Sequence, residues 1–148
     1  MVIEAKEWVD RFSLQVPELS LEEMMEDMLW YIQNYDWVTL VELCRRYGDQ
    51  AKGDHSLMSN ENMVLWVGMS DKLCSALLGL LKDRLVHLHG ASYLAYLVDG
   101  GVLKLPFARR PPKQGYNKPH WLPVCFRAGP KCMLKDCPSK IKIKKGSV

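Results

Sequence analysis

The sequence predicts an α+β domain, mostly helical, with a three-helix core, a small antiparallel β-hairpin or sheet, and an irregular C-terminal extension. Three observations predict it. Capped apolar stripes of helical period run through residues 20–47 and 70–83. The period drops to two from Arg84 onward. Beyond Pro106 the chain is rich in Pro, Lys and Arg and keeps no lasting period;. The implied organisation is a domain over residues 1–106, with 1–19 as an N-terminal extension, followed by a basic, Pro-rich extension over 107–148.

Each element has a local reason. Ile3 to Phe12 reads as a short helix with Trp8 and Phe12 on one face, stopped by Pro17. Ser20 with Glu23 three residues on forms a capping box. Behind it Leu21, Met24, Met25, Met28, Leu29 and Ile32 make a helical stripe, and Glu22, Glu23, Glu26 and Asp27 suit the positive end of the helix dipole. A second helix is expected from Trp37 to Tyr47, with Gly48 past its end. Residues 48–61 are polar and read as a loop. Met63–Val67 is short, apolar and β-branched, hence a strand, and Gly68 breaks it. Ser70 caps a third helix to about Asp83 that buries Leu73, Leu77, Leu80 and Leu81. Arg84–His89 alternates, Gly90-Ala91-Ser92 turns, Tyr93–Val98 is strand-like, Asp99-Gly100-Gly101 turns, and Val102–Leu105 alternates again.

Charge is sorted along the chain. Residues 1–36 carry two basic and nine acidic side chains, whereas residues 101–148 carry twelve basic side chains against Asp136 alone. The whole-chain charge of +3 therefore hides a strong gradient. Such a basic block either neutralises phosphates or docks on an acidic surface, that of a partner or of this chain's own N-terminal third. Between Phe107 and Trp121 cations alternate with aromatics and prolines, which suits an extended, phosphate-contacting strand. Trp121, Leu122, Val124 and Phe126 are costly to expose, so these four are expected to pack back on the domain. Lys140–Lys145 reads as a cationic edge strand or a free tail.

The run Ser70-Asp71-Lys72-Leu73-Cys74-Ser75-Ala76-Leu77-Leu78-Gly79-Leu80-Leu81, followed by Arg84–His89 and Tyr93–Leu105, resembles the winged helix-turn-helix family of DNA-binding domains. The likeness covers about residues 20–106. Gly48–Met69 departs from it, because the family joins its second and third helices closely. Met63–Val67 would then be the family's small first strand behind an enlarged loop. The resemblance implies that the 70–83 helix enters a major groove. Ser70, Lys72 and Ser75 would face the DNA, Gly79 would allow close approach, and Arg84 or His87 of the hairpin would touch the backbone. Arg109, Arg110, Lys113 and Lys118 would anchor phosphates.

The expected function is double-stranded DNA binding, as a transcriptional regulator or accessory factor. A homodimer is expected through the apolar surface of the Met-rich 20–33 helix. The rivals are a protein-interaction module with an acidic partner, and a single-strand or RNA binder using the aromatics of Tyr116–Phe126. His120, Cys125, Cys132 and Cys137 have the count for zinc but lack a C-x2-C knuckle, so a chance scatter of thiols is favoured and no cofactor is expected. No nucleotide loop, nucleophile elbow or zinc-protease motif occurs, and no enzymatic activity is expected. An early acid, no apolar leader and no span of about 20 apolar residues point to a cytoplasmic protein with free thiols.

Overall fold

The computed structural model describes residues 16–109, 112–131 and 142–146. The expected Ile3–Phe12 helix lies outside them. Helix α1 spans Leu21–Tyr35, and its capping box forms in both directions: Ser20 Oγ accepts from the Glu23 amide and Glu23 Oε1 accepts from the Ser20 amide. Its stripe turns inward, with Met24, Met28, Tyr31 and Ile32 all buried. Strand β1 (Val38–Thr39) precedes helix α2 (Leu40–Tyr47), which starts later than expected because Thr39 Oγ1 caps it by accepting from the Glu42 amide.

After a single 3₁₀ turn (Gly48–Ala51), the polar segment expected as a loop is strand β2 (Lys52–Met58), paired with β3 (Met63–Met69). Gly68 does not end β3; it sits inside the strand at φ 69°. Helix α3 (Asp71–Lys82) follows, capped by Ser70. Strand β4 (Val86–Gly90) does not pair with Tyr93–Leu105. Its partner is β6 (Val124–Ala128), in antiparallel register His87↔Arg127 and His89↔Cys125. Tyr93–Asp99, expected as a strand, is helix α4: Ser92 Oγ caps it and Gly100 closes it at φ 102°. Only Tyr96 of α4 is buried, so its apolar residues carry no helical burial pattern to read.

The mostly helical, three-helix architecture is therefore corrected. Among the described residues there are four α-helices and two sheets, an α+β fold. One sheet runs β1-β6-β4; the other runs β5-β3-β2-β7, with β5 at His120–Trp121 and β7 at Lys144–Gly146. The C-terminal extension is not irregular throughout, since β5, β6 and β7 come from it. Strand β6 is central in its sheet, between β1 and β4, and β7 is a cationic edge. One core joins the layers: Leu73 and Leu77 of α3, Val38 of β1, Leu65 of β3, and Trp121, Val124 and Phe126 of the extension are all buried in it. Leu122 packs against it, half-buried.

The end of α3 holds a conformational oddity. The Arg84 amide donates to the Leu81 carbonyl (3.1 Å) and the Leu85 amide to the Leu80 carbonyl (3.0 Å), the paired bonds of a Schellman closure;. The left-handed position of that motif is Arg84, at φ 58°. A side chain there costs about 1–2 kcal/mol, which glycine avoids while losing more backbone entropy on folding. Arg84→Gly is expected to raise stability by about 0.5–1 kcal/mol, measured as an upward shift in the urea midpoint at unchanged slope.

Candidate nucleic-acid interface

The α3 face expected to read DNA is engaged within the protein. Ser70 Oγ caps the helix and donates to the Gln50 carbonyl (2.6 Å). Lys72 Nζ bonds Glu18 Oε1 at 3.0 Å and also donates to the Leu19 carbonyl. Ser75 Oγ accepts from Lys145 Nζ at 3.2 Å, and Lys145 also pairs with Asp71 at 2.6 Å. Gly79 does serve a close approach, but to α1: a Cβ there would stand 2.7 Å from Met25 Cε. Glu18, Asp71 and Glu23 all sit near this end of the helix, and Lys72 is among the charges that lower the Glu23 carboxyl below its ordinary range, after its bonds to Ser20. Ser70, Lys72, Ser75 and Gly79 are therefore all engaged within the fold, with Lys72 and Lys145 paired to the carboxylates of Glu18 and Asp71 at the helix start.

His87 is buried, and its Nδ1 lies 2.9 Å from the Gly129 carbonyl. Arg84 is exposed, and no ion pair is seen for it among the described residues. Arg110 lies outside the described residues. Lys104, Arg109, Lys113 and Lys118 are exposed on the long connection between β4 and β6, and Lys131 is exposed just beyond β6. None of these five forms an ion pair among the described residues. From residue 101 to 131 the chain has seven basic residues and no acid.

This connection is anchored, not free. Trp121 donates its indole N–H to the Leu65 carbonyl (3.2 Å), its amide donates to the Pro106 carbonyl (2.7 Å), and its own carbonyl accepts from the Ala108 amide (2.9 Å). The Tyr116 amide bonds the Glu61 carbonyl, and Asn62 Nδ2 bonds the Tyr116 carbonyl, both at 2.9 Å. These bonds hold Arg109 and Lys118 on a fixed frame. Cys125 is buried in β6, whereas His120 stacks on Tyr116 with its Nδ1 2.9 Å from the Lys118 carbonyl. Cys132 and Cys137 lie outside the described residues, and no cluster of three metal-ligating side chains occurs among those that are described.

A second cluster escaped the sequence reading. Asp36 and Trp37 both have φ 49°, two successive non-glycine residues in left-handed backbone. Arg127 holds them: its Nε and Nη2 donate to the Asp36 carboxylate at 2.9 and 2.8 Å, and its guanidinium lies 4.1 Å from the centre of the Trp37 ring. Trp37 in turn meets His89 edge-on at 5.0 Å, and His89 lies 5.1 Å from His87. The bonds from Arg127 hold the Asp36 carboxyl below its usual range, against the opposing effect of burial. Only the β4–β6 register, which no local motif announces, brings Arg127 beside His87.

His89 titrates below the ordinary histidine range because burial, His87 and Arg127 all disfavour its charged form, while Asp36 opposes them. The folded state therefore binds fewer protons than the unfolded chain just below about pH 6.5, and stability falls as pH drops through that window. The urea midpoint is expected to be lower at pH 5.5 than at pH 7.5, and His89→Gln is expected to flatten the difference.

Of the Met-rich α1 stripe, Met24, Met28 and Ile32 are buried in the core, while Leu21, Trp30 and Tyr35 of the same helix are exposed. On α4, Leu94, Leu97 and Val98 are all more than half exposed. No helix among the described residues is long and apolar enough to cross a membrane. No family model, curated protein or solved structure matches the chain.

Proposed function

We propose that this protein binds double-stranded DNA through backbone phosphates, using the connection between β4 and β6 and not the α3 helix. One observation carries the reading: Lys104, Arg109, Lys113, Lys118 and Lys131 are exposed on one acid-free stretch, without ion pairs among the described residues. Unpaired cations condense on phosphate by releasing counterions, a gain that paired ones such as Lys72 and Lys145 have already forgone. The resemblance to winged helix-turn-helix domains supports the same reading only through element order. Three helices, α1 to α3, precede the paired strands β4 and β6, and the cationic connection stands where that family carries its wing. The small first strand is then β1, not Met63–Val67.

Backbone contact without a reading helix suits an accessory DNA-binding factor better than a sequence-selective regulator. Free thiols at Cys44 and Cys74 fit a cytoplasmic location;. A homodimer would have exposed apolar side chains to use on α1 (Leu21, Trp30) and on α4 (Leu94, Leu97, Val98). The test is anisotropy of a labelled mixed-sequence duplex titrated at several salt concentrations. Salt-steep binding with little preference among sequences is expected. Absence of binding at low salt overturns the reading and turns attention to an acidic protein partner.

A further inference from the structure

At the root of the cationic connection lies an open groove of about 260 Å³. Its lining includes Tyr93 at the start of α4, Phe107 and Arg109 on the connection, and Leu122 and Pro123 before β6. The Tyr93 and Phe107 rings are 5.7 Å apart, and the Arg109 guanidinium lies 5.6 Å from the Phe107 ring centre. Phe107 is fixed from below by stacking on buried Trp121, with centroids 5.6 Å apart and planes at 25°. Tyr93 is 45% exposed, so an aromatic surface faces solvent beside a cation.

We propose that this groove takes one unpaired nucleobase of a nucleic-acid strand, stacked on Tyr93 beside Phe107, with the adjoining phosphate on Arg109. Charge selects this occupant. No acidic side chain lines the groove, and its one charged group is an arginine. The same stretch continues into Lys113 and Lys118. An aromatic surface next to a guanidinium fits a base and its phosphate together, and every base has a face to stack. The amides of Ala91, Ala108 and Arg109 already donate to the carbonyls of Pro123, Trp121 and Phe107. They cannot read base edges, so the site is expected to discriminate paired from unpaired, not one base from another.

This inference rests on the proposed duplex binding and extends it to DNA ends, flaps and bulges. The experiment compares a blunt duplex with the same duplex carrying a short single-stranded overhang, both labelled. The overhang is expected to tighten binding about tenfold, the order of gain that one stacked base supplies. Tyr93→Ala is expected to erase that gain while leaving blunt-duplex affinity within about twofold, and Tyr93→Phe to keep it. Circular dichroism of each variant separates loss of stacking from loss of fold. Equal binding of blunt and overhanging duplex, or a gain that survives Tyr93→Ala, overturns the base site and leaves duplex binding standing. Failure of both probes to bind at low salt overturns the duplex reading, and the base site with it.

Discussion

Trp121→Ala is expected to remove about 3–5 kcal/mol of stability, a large share of the roughly 5–15 kcal/mol that a domain holds. The side chain is the largest of those fully buried, at 1% exposure. Its ring meets Tyr96 edge-on at 5.2 Å, Phe107 at 5.6 Å and Trp66 at 6.0 Å. Truncation opens a cavity that these rings, held by strands and a helix, can only partly refill. It also removes the indole donor from the Leu65 carbonyl, and an unpaired buried acceptor adds its own penalty;. Trp121→Phe keeps most of the volume but loses the N–H and part of the ring, so about 1–2 kcal/mol is expected. Urea unfolding followed by far-ultraviolet circular dichroism measures both. Less than about 1 kcal/mol for Trp121→Ala would mean that the connection is not docked through this residue, and the frame for Arg109 and Lys118 would go with it.

Local chemistry made some elements legible and left others silent. The Ser20–Glu23 box and the Ser70 cap are short-range devices, and α1 and α3 stand where those residues put them. The packing of Trp121, Val124 and Phe126 follows from the cost of wetting them, which needs no knowledge of what they touch. Strand β2 gave no such signal. Its sequence, Lys52-Gly53-Asp54-His55-Ser56-Leu57-Met58, does not alternate, and its pairing with β3 is interrupted by register shifts. Gly53 explains part of this: a Cβ there would stand 2.6 Å from the Met69 carbonyl oxygen, so the strand start is shaped by backbone contact with the entry to α3. Helix α4 was hidden for the opposite reason, since its apolar residues face solvent and show no burial period.

The site was less legible than the fold, because a charge has no meaning until its partner is known. Lys72, Lys113 and Lys118 look alike in sequence. Folding pairs Lys72 with Glu18, more than fifty residues away, and leaves the other two without an ion pair among the described residues. Strand β6 pairs with β1 more than eighty residues away, Val38 opposite Phe126, and no local turn signal could announce that Arg127 meets Asp36.

Replacing Arg109, Lys113 and Lys118 together by Gln is expected to have the largest effect on duplex binding. Each phosphate neutralised contributes about 0.9 to the slope of log affinity against log salt, so three lost contacts flatten it by about 2.7. The loss of affinity should be nearly the same for every sequence, because backbone contacts carry no base information. Stability should change little, since all three side chains are exposed and form no ion pair among the described residues;. Lys72→Gln is the decisive control. Its bridge to Glu18 is partly exposed at the lysine and open at the carboxylate, which limits the effect on stability to under about 1 kcal/mol;. If α3 read the groove, Lys72→Gln would weaken binding and shift sequence preference. If the connection does the binding, Lys72→Gln leaves the salt slope unchanged while the triple variant flattens it. The opposite pattern would return the interface to α3 and require the Glu18 contact to open on binding.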